Sequence, residues 1–74
     1  MGKFKITIEP DEEYITLQSL LKMTNIVQTG GMVKAFLMEE KVMVNGETEN
    51  RRGRKLYPGD EVSVGDQIYI IEKS

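Results

Sequence analysis

The sequence predicts an α+β fold in which two short helices, a helix–turn–helix pair, pack on a small antiparallel sheet of about four to five strands. Three observations lead to this prediction. Residues 4–8 alternate between apolar and polar side chains, as a half-buried strand does. Two segments with apolar residues at helical spacing follow, and further short alternating segments fill the second half. At 74 residues, we expect residues 1–74 to form a single domain.

The first strand and the first helix are predicted from residues 4–24. The strand at residues 4–8 ends before Pro10, because proline cannot donate to a continuing strand ladder. Thr16 has the side chain preferred at an N-cap, which predicts a helix over residues 17–24. The residues expected to face the core are Phe4, Ile6 and Ile8 on the strand, and Leu17, Leu20 and Leu21 on the helix.

The second helix is predicted to begin near Gly30 and Gly31, with Thr29 as its cap, and to run to residue 40. Its apolar stripe is Val33, Phe36 and Leu37. If the helix persists far enough, Lys34 and Lys41 share one flank, because they are seven residues apart.

The second half of the chain is predicted to consist of strands joined by tight turns. Val42 and Val44 point to one side of a strand that ends at Asn45 and Gly46, a dipeptide that tolerates positive φ. The remaining elements are a turn at residues 58–60, a strand at 61–64, a turn at 65–66 and a last strand at 67–71.

The most informative feature of the composition is a cluster of positive charge at residues 51–55. The formal net charge of the chain is −2, yet this segment holds Arg51, Arg52, Arg54 and Lys55. Guanidinium groups match phosphate oxygens in pairs, so such a loop can bind a nucleic-acid backbone. The alternative is a solvated loop whose charges pair with Glu47, Glu49, Asp60 and Glu61. The clustering within an acidic chain favours the phosphate interpretation.

The segment Thr29-Gly30-Gly31 could receive a second phosphate. The first N–H groups of a helix lack partners within the helix, and glycine lets an anion approach them closely. The alternative is a turn between helices, and the segment alone favours it, since the rest of a phosphate-loop pattern is missing. Lys22 and Lys34 would add positive charge beside these two phosphate-binding segments. Tyr57 could stack on an exposed base, although packing beside the next residue is the simpler interpretation.

Catalysis is not expected. The chain has no histidine and no cysteine, so the commonest general base, thiolate and imidazole metal ligands, and disulfides are all missing. No carboxylate stands beside a partner that would raise its pKa. We therefore expect a protein that is not an enzyme, with no catalytic residue, no metal and no cofactor. No apolar run approaches the roughly 20 residues of a membrane span, and no signal peptide is evident, so we expect a cytoplasmic protein without a membrane partner.

Several segments follow one another in an order typical of a known domain. They are Ile15-Thr16-Leu17 with Leu20, Gly30-Gly31, Lys34-Ala35, Val42-Met43-Val44-Asn45-Gly46 and Pro58-Gly59-Asp60-Glu61-Val62. Together they resemble the RNA-binding domain named after the fourth small-subunit ribosomal protein, over residues 15–64. The resemblance implies a helix–turn–helix pair followed by a small sheet, to which the strands at 4–8 and 67–71 are added.

A closer resemblance is to the short stand-alone members of this family from Gram-positive bacteria. It lies in the segments Gln28-Thr29-Gly30-Gly31-Met32 and Asn50-Arg51-Arg52-Gly53-Arg54-Lys55-Leu56. Such proteins are associated with ribosomal RNA and large-subunit assembly. The resemblance implies that this chain binds structured RNA, above all ribosomal RNA or a ribosomal subunit precursor. We expect a monomer with no small-molecule substrate.

The resemblance also implies which residues face RNA. They are Lys22, Gln28, Thr29, Gly30, Gly31, Lys34, Lys41, Arg51, Arg52, Arg54 and Lys55. The wider family often has an arginine at the start of the first helix and a Ser-Arg pair before the second, and this chain has neither. The segment Arg51–Lys55 is therefore expected to carry more of the contact than the equivalent loop usually does. The alternative function is an adaptor that docks a ribosomal or other basic protein through its acidic ends.

Overall fold

A computed structural model describes residues 2–74, and the elements confirm the predicted α+β class with two helices. In chain order they are β1 (Gly2–Ile8), β2 (Ile15–Thr16), α1 (Leu17–Met23), α2 (Gly30–Glu39), β3 (Val42–Val44), β4 (Glu47–Thr48), β5 (Lys55–Leu56), β6 (Glu61–Val64) and β7 (Gln67–Lys73). The first and last strands are each longer than predicted, by two residues in both cases. No helix among residues 2–74 is long and apolar enough to cross a membrane.

The main sheet has five strands in the order β1-β7-β6-β3-β4. Its neighbours are antiparallel, as predicted, except that β1 runs parallel to β7, with Phe4 opposite Tyr69. The purely antiparallel prediction is wrong for this pair. The alternation of apolar residues reports which face of a strand is buried, but it does not report strand direction. Both helices and the other strands lie between β1 and β7 in the chain, and a connection of that length permits a parallel pair.

A second, two-stranded sheet was not predicted. Strand β2 pairs with β5 in an antiparallel ladder, with Ile15 opposite Leu56 and Thr16 opposite Lys55. Each strand is only two residues long, which is too short for alternation to be recognised in the sequence. This ladder matters for the site, because it ties the end of the cationic segment to the residues just before α1.

One core lies between the helices and the sheet. Its buried side chains are Ile8, Ile15, Leu17, Leu20, Leu21, Val27, Val33, Leu37, Val42, Val44, Leu56, Val62, Tyr69 and Ile71. Ile6 and Phe36 are partly buried and pack against it, in agreement with the predicted stripes. Phe4 is a correction, because it is 45% exposed and stacks on Tyr69 with ring centroids 5.4 Å apart. Phe4 lies on the outermost strand of the sheet, where no further strand covers it.

The helix caps explain where each helix begins and ends. Thr16 caps α1 as predicted, and its Oγ1 accepts a hydrogen bond of 3.2 Å from the backbone N–H of Ser19. Helix α1 ends at Met23, one residue early, because Thr24 is its C-cap and donates its hydroxyl to the Leu20 carbonyl at 2.9 Å. Thr29 occupies the N-cap position of α2 without a side-chain capping bond, and α2 ends one residue before the predicted end.

Asn45 joins two of the predicted turns. Its φ of 53° and the φ of 84° at Gly46 confirm the tight reversal after β3. Its side-chain Nδ2 donates to Asp60 at 3.1 Å, and its Oδ1 accepts from the backbone N–H of Glu61 at 2.9 Å. The hairpin turn is therefore fastened to the turn at residues 58–60, where Gly59 has a φ of 99°.

Candidate nucleic-acid interface

The cationic segment at residues 51–55, here called the basic loop, is attached to the start of α1 through the main chain. The carbonyl oxygen of Arg54 accepts a hydrogen bond of 2.9 Å from the N–H of Leu17, and that of Arg52 accepts one of 3.0 Å from the N–H of Gln18. These N–H groups have no partners within α1, so the loop satisfies donors that the helix leaves open. These main-chain hydrogen bonds therefore hold the backbone of the basic loop in a fixed position on the fold.

Glu49 holds the basic loop from the other side. Its carboxylate is only 6% exposed, and it accepts from the backbone N–H and the Nε of Arg51, both at 3.0 Å. It also accepts from Nη2 of Arg51 at 3.3 Å and from Nη1 of Arg54 at 2.7 Å. The hydrogen bond from the Arg51 side chain, helped by the other bonds and opposed by burial, lowers the pKa of Glu49 to about 2. Glu49 is therefore ionised at neutral pH.

The four cations of the basic loop are consequently not equivalent. Arg51 and Arg54 form ion pairs with Glu49. Of the four acidic residues considered as partners of the loop, Glu49 is the one that pairs with it among residues 2–74. Among residues 2–74, Arg52 forms no ion pair, and its side chain is exposed. The Arg51 side chain remains 74% exposed, so it still presents a positive surface. Its Nε edge is occupied by Glu49 and cannot also bind a phosphate bidentately.

Lys55, the last cation of the loop, stands against two tyrosines. Its Nζ lies 5.1 Å from the ring centroid of Tyr14, within the range of a cation–π contact. The Tyr14 and Tyr57 rings are 5.6 Å apart and tilted by 50°. Tyr57 is 45% exposed and its ring lies against Tyr14, which fits the interpretation of a partly buried packing residue and still leaves part of the ring accessible. The β2–β5 ladder brings Tyr14 here, which local sequence could not reveal.

The second part of the predicted surface is the start of α2. A β-carbon at Gly30 would lie 3.5 Å from the side-chain nitrogen of Gln18 and 4.0 Å from Nζ of Lys22. Lys22 and Gly30 are therefore close together. At Gly31 the same position has no heavy atom within 4 Å, so its backbone can be approached from solvent. Gln18, which the sequence analysis did not single out, contacts both the basic loop and the start of α2.

The other predicted contact residues are exposed around these two parts. They are Gln28 and Thr29 in the connector between the helices, Lys34 on α2, and Lys41 after α2. Helix α2 ends at Glu39, so the condition under which Lys34 and Lys41 would share a helical flank is not met. Lys41 instead lines a shallow cleft with Asn50, the residue before the basic loop.

Helix α1 links two groups of the predicted residues: Arg52 is bonded to its first turn through Gln18, and Lys22 near its end lies close to Gly30 at the start of α2. The start of α1 is filled by loop carbonyls, so it is not open to an anion. The start of α2 has no such cover at Gly31. These two groups can contact phosphates at two places that α1 holds at a fixed separation.

Comparison with known proteins identifies the family of this chain. The family model described as the S4 domain matches residues 7–72, which extends beyond the resemblance over residues 15–64 on both sides. The chain is 54% identical over 57 residues to the "Probable ribosome maturation protein RlbA" of Bacillus subtilis (strain 168). That alignment covers 77% of this chain and 80% of the relative. No solved structure matches the chain significantly. The match over nearly all of the chain and the identity with this relative establish that the chain belongs to the S4 domain family.

Proposed function

We propose that this protein binds structured RNA, above all ribosomal RNA or a ribosomal subunit precursor, and acts in ribosome assembly. Membership of the S4 domain family supports RNA as the ligand, and the ribosome maturation named for the Bacillus relative supports the process. The observation that carries the proposal is the basic loop, which an otherwise acidic chain fixes against α1 and in which Arg52 is exposed.

Phosphates provide the main contact in this proposal. Arg52 and Lys55 bind the backbone from the basic loop, while Arg51 and Arg54 add positive charge from their positions on Glu49. The ion pairs and main-chain bonds order the loop before RNA arrives, so binding loses less conformational entropy than it would with a flexible loop. Preorganisation of this kind favours a defined RNA shape over any polyanion.

The helix pair provides the second contact. A phosphate approaches the backbone at Gly31, Lys22 and Lys34 neutralise neighbouring phosphates, and Gln28 and Thr29 offer polar groups to sugars. Lys41 extends the surface past Asn50. Recognition then depends on the separation of the two contacts and on 2′-hydroxyl groups, because an RNA duplex hides its base edges in a deep, narrow groove.

The proposal includes a monomer in the cytoplasm that has no enzymatic activity, no cofactor and no small-molecule substrate. It is tested by crosslinking in cells, followed by sequencing of the RNA bound to the tagged protein. We expect ribosomal RNA fragments clustered at one position, and we expect this cluster to be lost in an Arg52→Ala variant. Cosedimentation with ribosomal particles that survives complete RNA digestion would instead support the protein adaptor.

A further inference from the structure

A cleft of about 650 Å³ lies beside the basic loop, and the residues that line it differ chemically. Its lining residues are Arg51, Gly53, Arg54, Lys55, Tyr57 and Asp60. Three of these residues are cations of the basic loop, Tyr57 contributes an aromatic ring, and Asp60 contributes a carboxylate. The volume lies within the range of sites that take small organic ligands, roughly 300–1,000 Å³.

The tyrosine ring that lines the cleft is only partly covered by the rest of the protein. Tyr57 is 45% exposed, and Tyr14, which supports it at 5.6 Å, is 36% exposed. Lys55 lies over the Tyr14 ring, so Tyr14 is covered in part by a protein cation. Tyr57 has no such cover from a cation among the described residues, and it lines the cleft. An aromatic ring held beside arginines is the combination that stacks on a nucleobase and contacts its phosphate.

Asp60 places a negative charge in the cleft beside Tyr57. One carboxylate oxygen accepts from the backbone N–H of Tyr57 at 2.8 Å, and the other accepts from Nδ2 of Asn45 at 3.1 Å. These bonds fix the carboxylate in place.

A phosphate is repelled by the Asp60 carboxylate and attracted to the cations that line the same cleft, Arg51, Arg54 and Lys55. Glu49 offsets one of the two arginine charges, and Lys55 adds a further positive charge. The charges therefore favour the phosphate of a ligand near these cations and leave the aromatic ring for its base.

We propose that this cleft binds a single unpaired nucleotide of the RNA, with its base stacked on Tyr57 and its phosphate at the cations of the basic loop that line the cleft, Lys55 with Arg51 and Arg54. This inference rests on the proposed function and adds a ligand class to it. A paired base cannot enter, because its neighbours in the duplex cover both of its faces. The nucleotide is consequently one that bulges from a helix whose backbone contacts the basic loop.

The test compares two RNA hairpins with the same stem, one of which carries a single-nucleotide bulge. Fluorescence anisotropy gives the affinity of each for the wild type, for Tyr57→Phe and for Tyr57→Leu. We expect the wild type and Tyr57→Phe to prefer the bulged hairpin by at least about fivefold, near the low end of measured base–aromatic stacking. Tyr57→Leu is expected to lose the preference while its affinity for the unbulged hairpin stays the same.

The inference is overturned by a wild type that binds both hairpins equally, or by a Tyr57→Leu variant that keeps the preference. Binding of free nucleoside monophosphate without any bulge preference also overturns it. In each of these cases RNA binding itself remains. A wild type that binds neither these hairpins nor ribosomal RNA refutes the proposed function instead, so the two failures are distinguishable.

A second measurement reports directly on the position of the bulged base, and urea unfolding checks that each variant is folded. The chain has no tryptophan, so Tyr57→Trp introduces a single fluorescent reporter at the proposed stacking position. We expect the bulged hairpin to quench this fluorescence and the unbulged hairpin to leave it nearly unchanged. Equal quenching by both hairpins contradicts insertion of the bulged base. Urea unfolding of each variant shows whether the domain is still folded.

Discussion

The backbone N–H of Gln18 donates a hydrogen bond of 3.0 Å to the carbonyl oxygen of Arg52. The side chain of the same glutamine reaches to within 3.5 Å of the β-carbon position at Gly30, where α2 begins. One residue of α1 therefore connects the two parts of the predicted surface. Because the backbone of Arg52 is fixed while its side chain is exposed and unpaired within residues 2–74, we expect Arg52 to be the most important single cation for RNA binding.

Arg51 and Arg52 are neighbours in sequence, but their substitution is predicted to have different effects. Arg52→Ala should weaken RNA binding about tenfold, as expected for the loss of one charge-assisted contact, and should unfold at the same urea concentration as the wild type. Arg51→Ala should lower the urea midpoint, because it leaves the buried carboxylate of Glu49 with fewer partners. Affinity and urea unfolding are measured for both variants.

Lys3→Ala is the matched control for this comparison. Lys3 is exposed on β1, outside the proposed surface, and its substitution also removes one positive charge. If Lys3→Ala weakens RNA binding as much as Arg52→Ala does, net charge rather than position governs the affinity, and the assignment of the surface is wrong.

Glu49 predicts a specific dependence of stability on acid pH. Hydrogen bonds, chiefly from Arg51, lower its pKa in the folded protein from 4.5 to about 2. A lowered carboxyl pKa contributes stability that is fully present above pH 4.5 and is lost as the pH falls toward 2. At pH 6 we expect Glu49→Gln to be less stable than the wild type by about 1.5–3 kcal/mol, the range for hydrogen bonds to a charged group.

Urea unfolding of the wild type and Glu49→Gln at several pH values measures this contribution. The difference in unfolding free energy between the two proteins should shrink steadily between pH 4.5 and pH 2. A difference that stays constant over this range would show that ionised Glu49 does not stabilise the basic loop.

Gly31 is predicted to favour RNA binding at the expense of stability. A β-carbon there meets no heavy atom within 4 Å, and its φ lies outside the left-handed region, so alanine fits without strain. Gly31→Ala should therefore stabilise the fold by up to about 1 kcal/mol, since alanine is the better helix former. It should also weaken RNA binding, because its methyl group stands where a phosphate approaches the backbone. Thermal unfolding and RNA affinity, measured together, test both halves; a more stable variant with unchanged affinity removes Gly31 from the interface.

Asn45 combines two roles that a pair of substitutions can separate. Asn45→Gly keeps the positive φ but loses the side-chain bonds to Asp60 and Glu61, whereas Asn45→Ala loses these bonds and also strains the backbone. We expect Asn45→Ala to be the less stable variant, by about 1 kcal/mol, because an L-residue with a β-carbon is disfavoured in the left-handed region. Urea unfolding compares the two variants. Equal stabilities would mean that the positive φ adds no cost at this turn.

Much of the fold could be predicted because it depends on local chemistry. Thr16 is a good cap, Asn45 and Gly46 favour a tight reversal, and the leucines of α1 recur at helical spacing. The pairing of β1 with β7 could not be predicted, because it joins the two ends of the described chain and no local pattern encodes its direction. The β2–β5 ladder could not be predicted either, because each of its strands is only two residues long and shows no recognisable alternation.

The candidate site shows the same division. The cationic cluster and the glycine pair were evident, because residue type and spacing suffice to recognise them. The roles of Glu49 and Gln18 were not, since they depend on burial and on contacts with residues elsewhere in the chain. Glu49 was considered only as one of several acidic residues that could pair with the loop. The structure selects it because it is the carboxylate buried beneath Arg51 and Arg54.

The dependence of RNA affinity on salt tests the central claim most directly. If Arg52, Lys55, Lys22 and Lys34 each neutralise a phosphate, the logarithm of the association constant should fall with the logarithm of salt concentration at a slope of about −3. Arg52→Ala should reduce the steepness of that slope by about 0.7, the loss of one phosphate contact. An affinity for ribosomal RNA that does not change with salt would contradict a phosphate-binding surface at the basic loop.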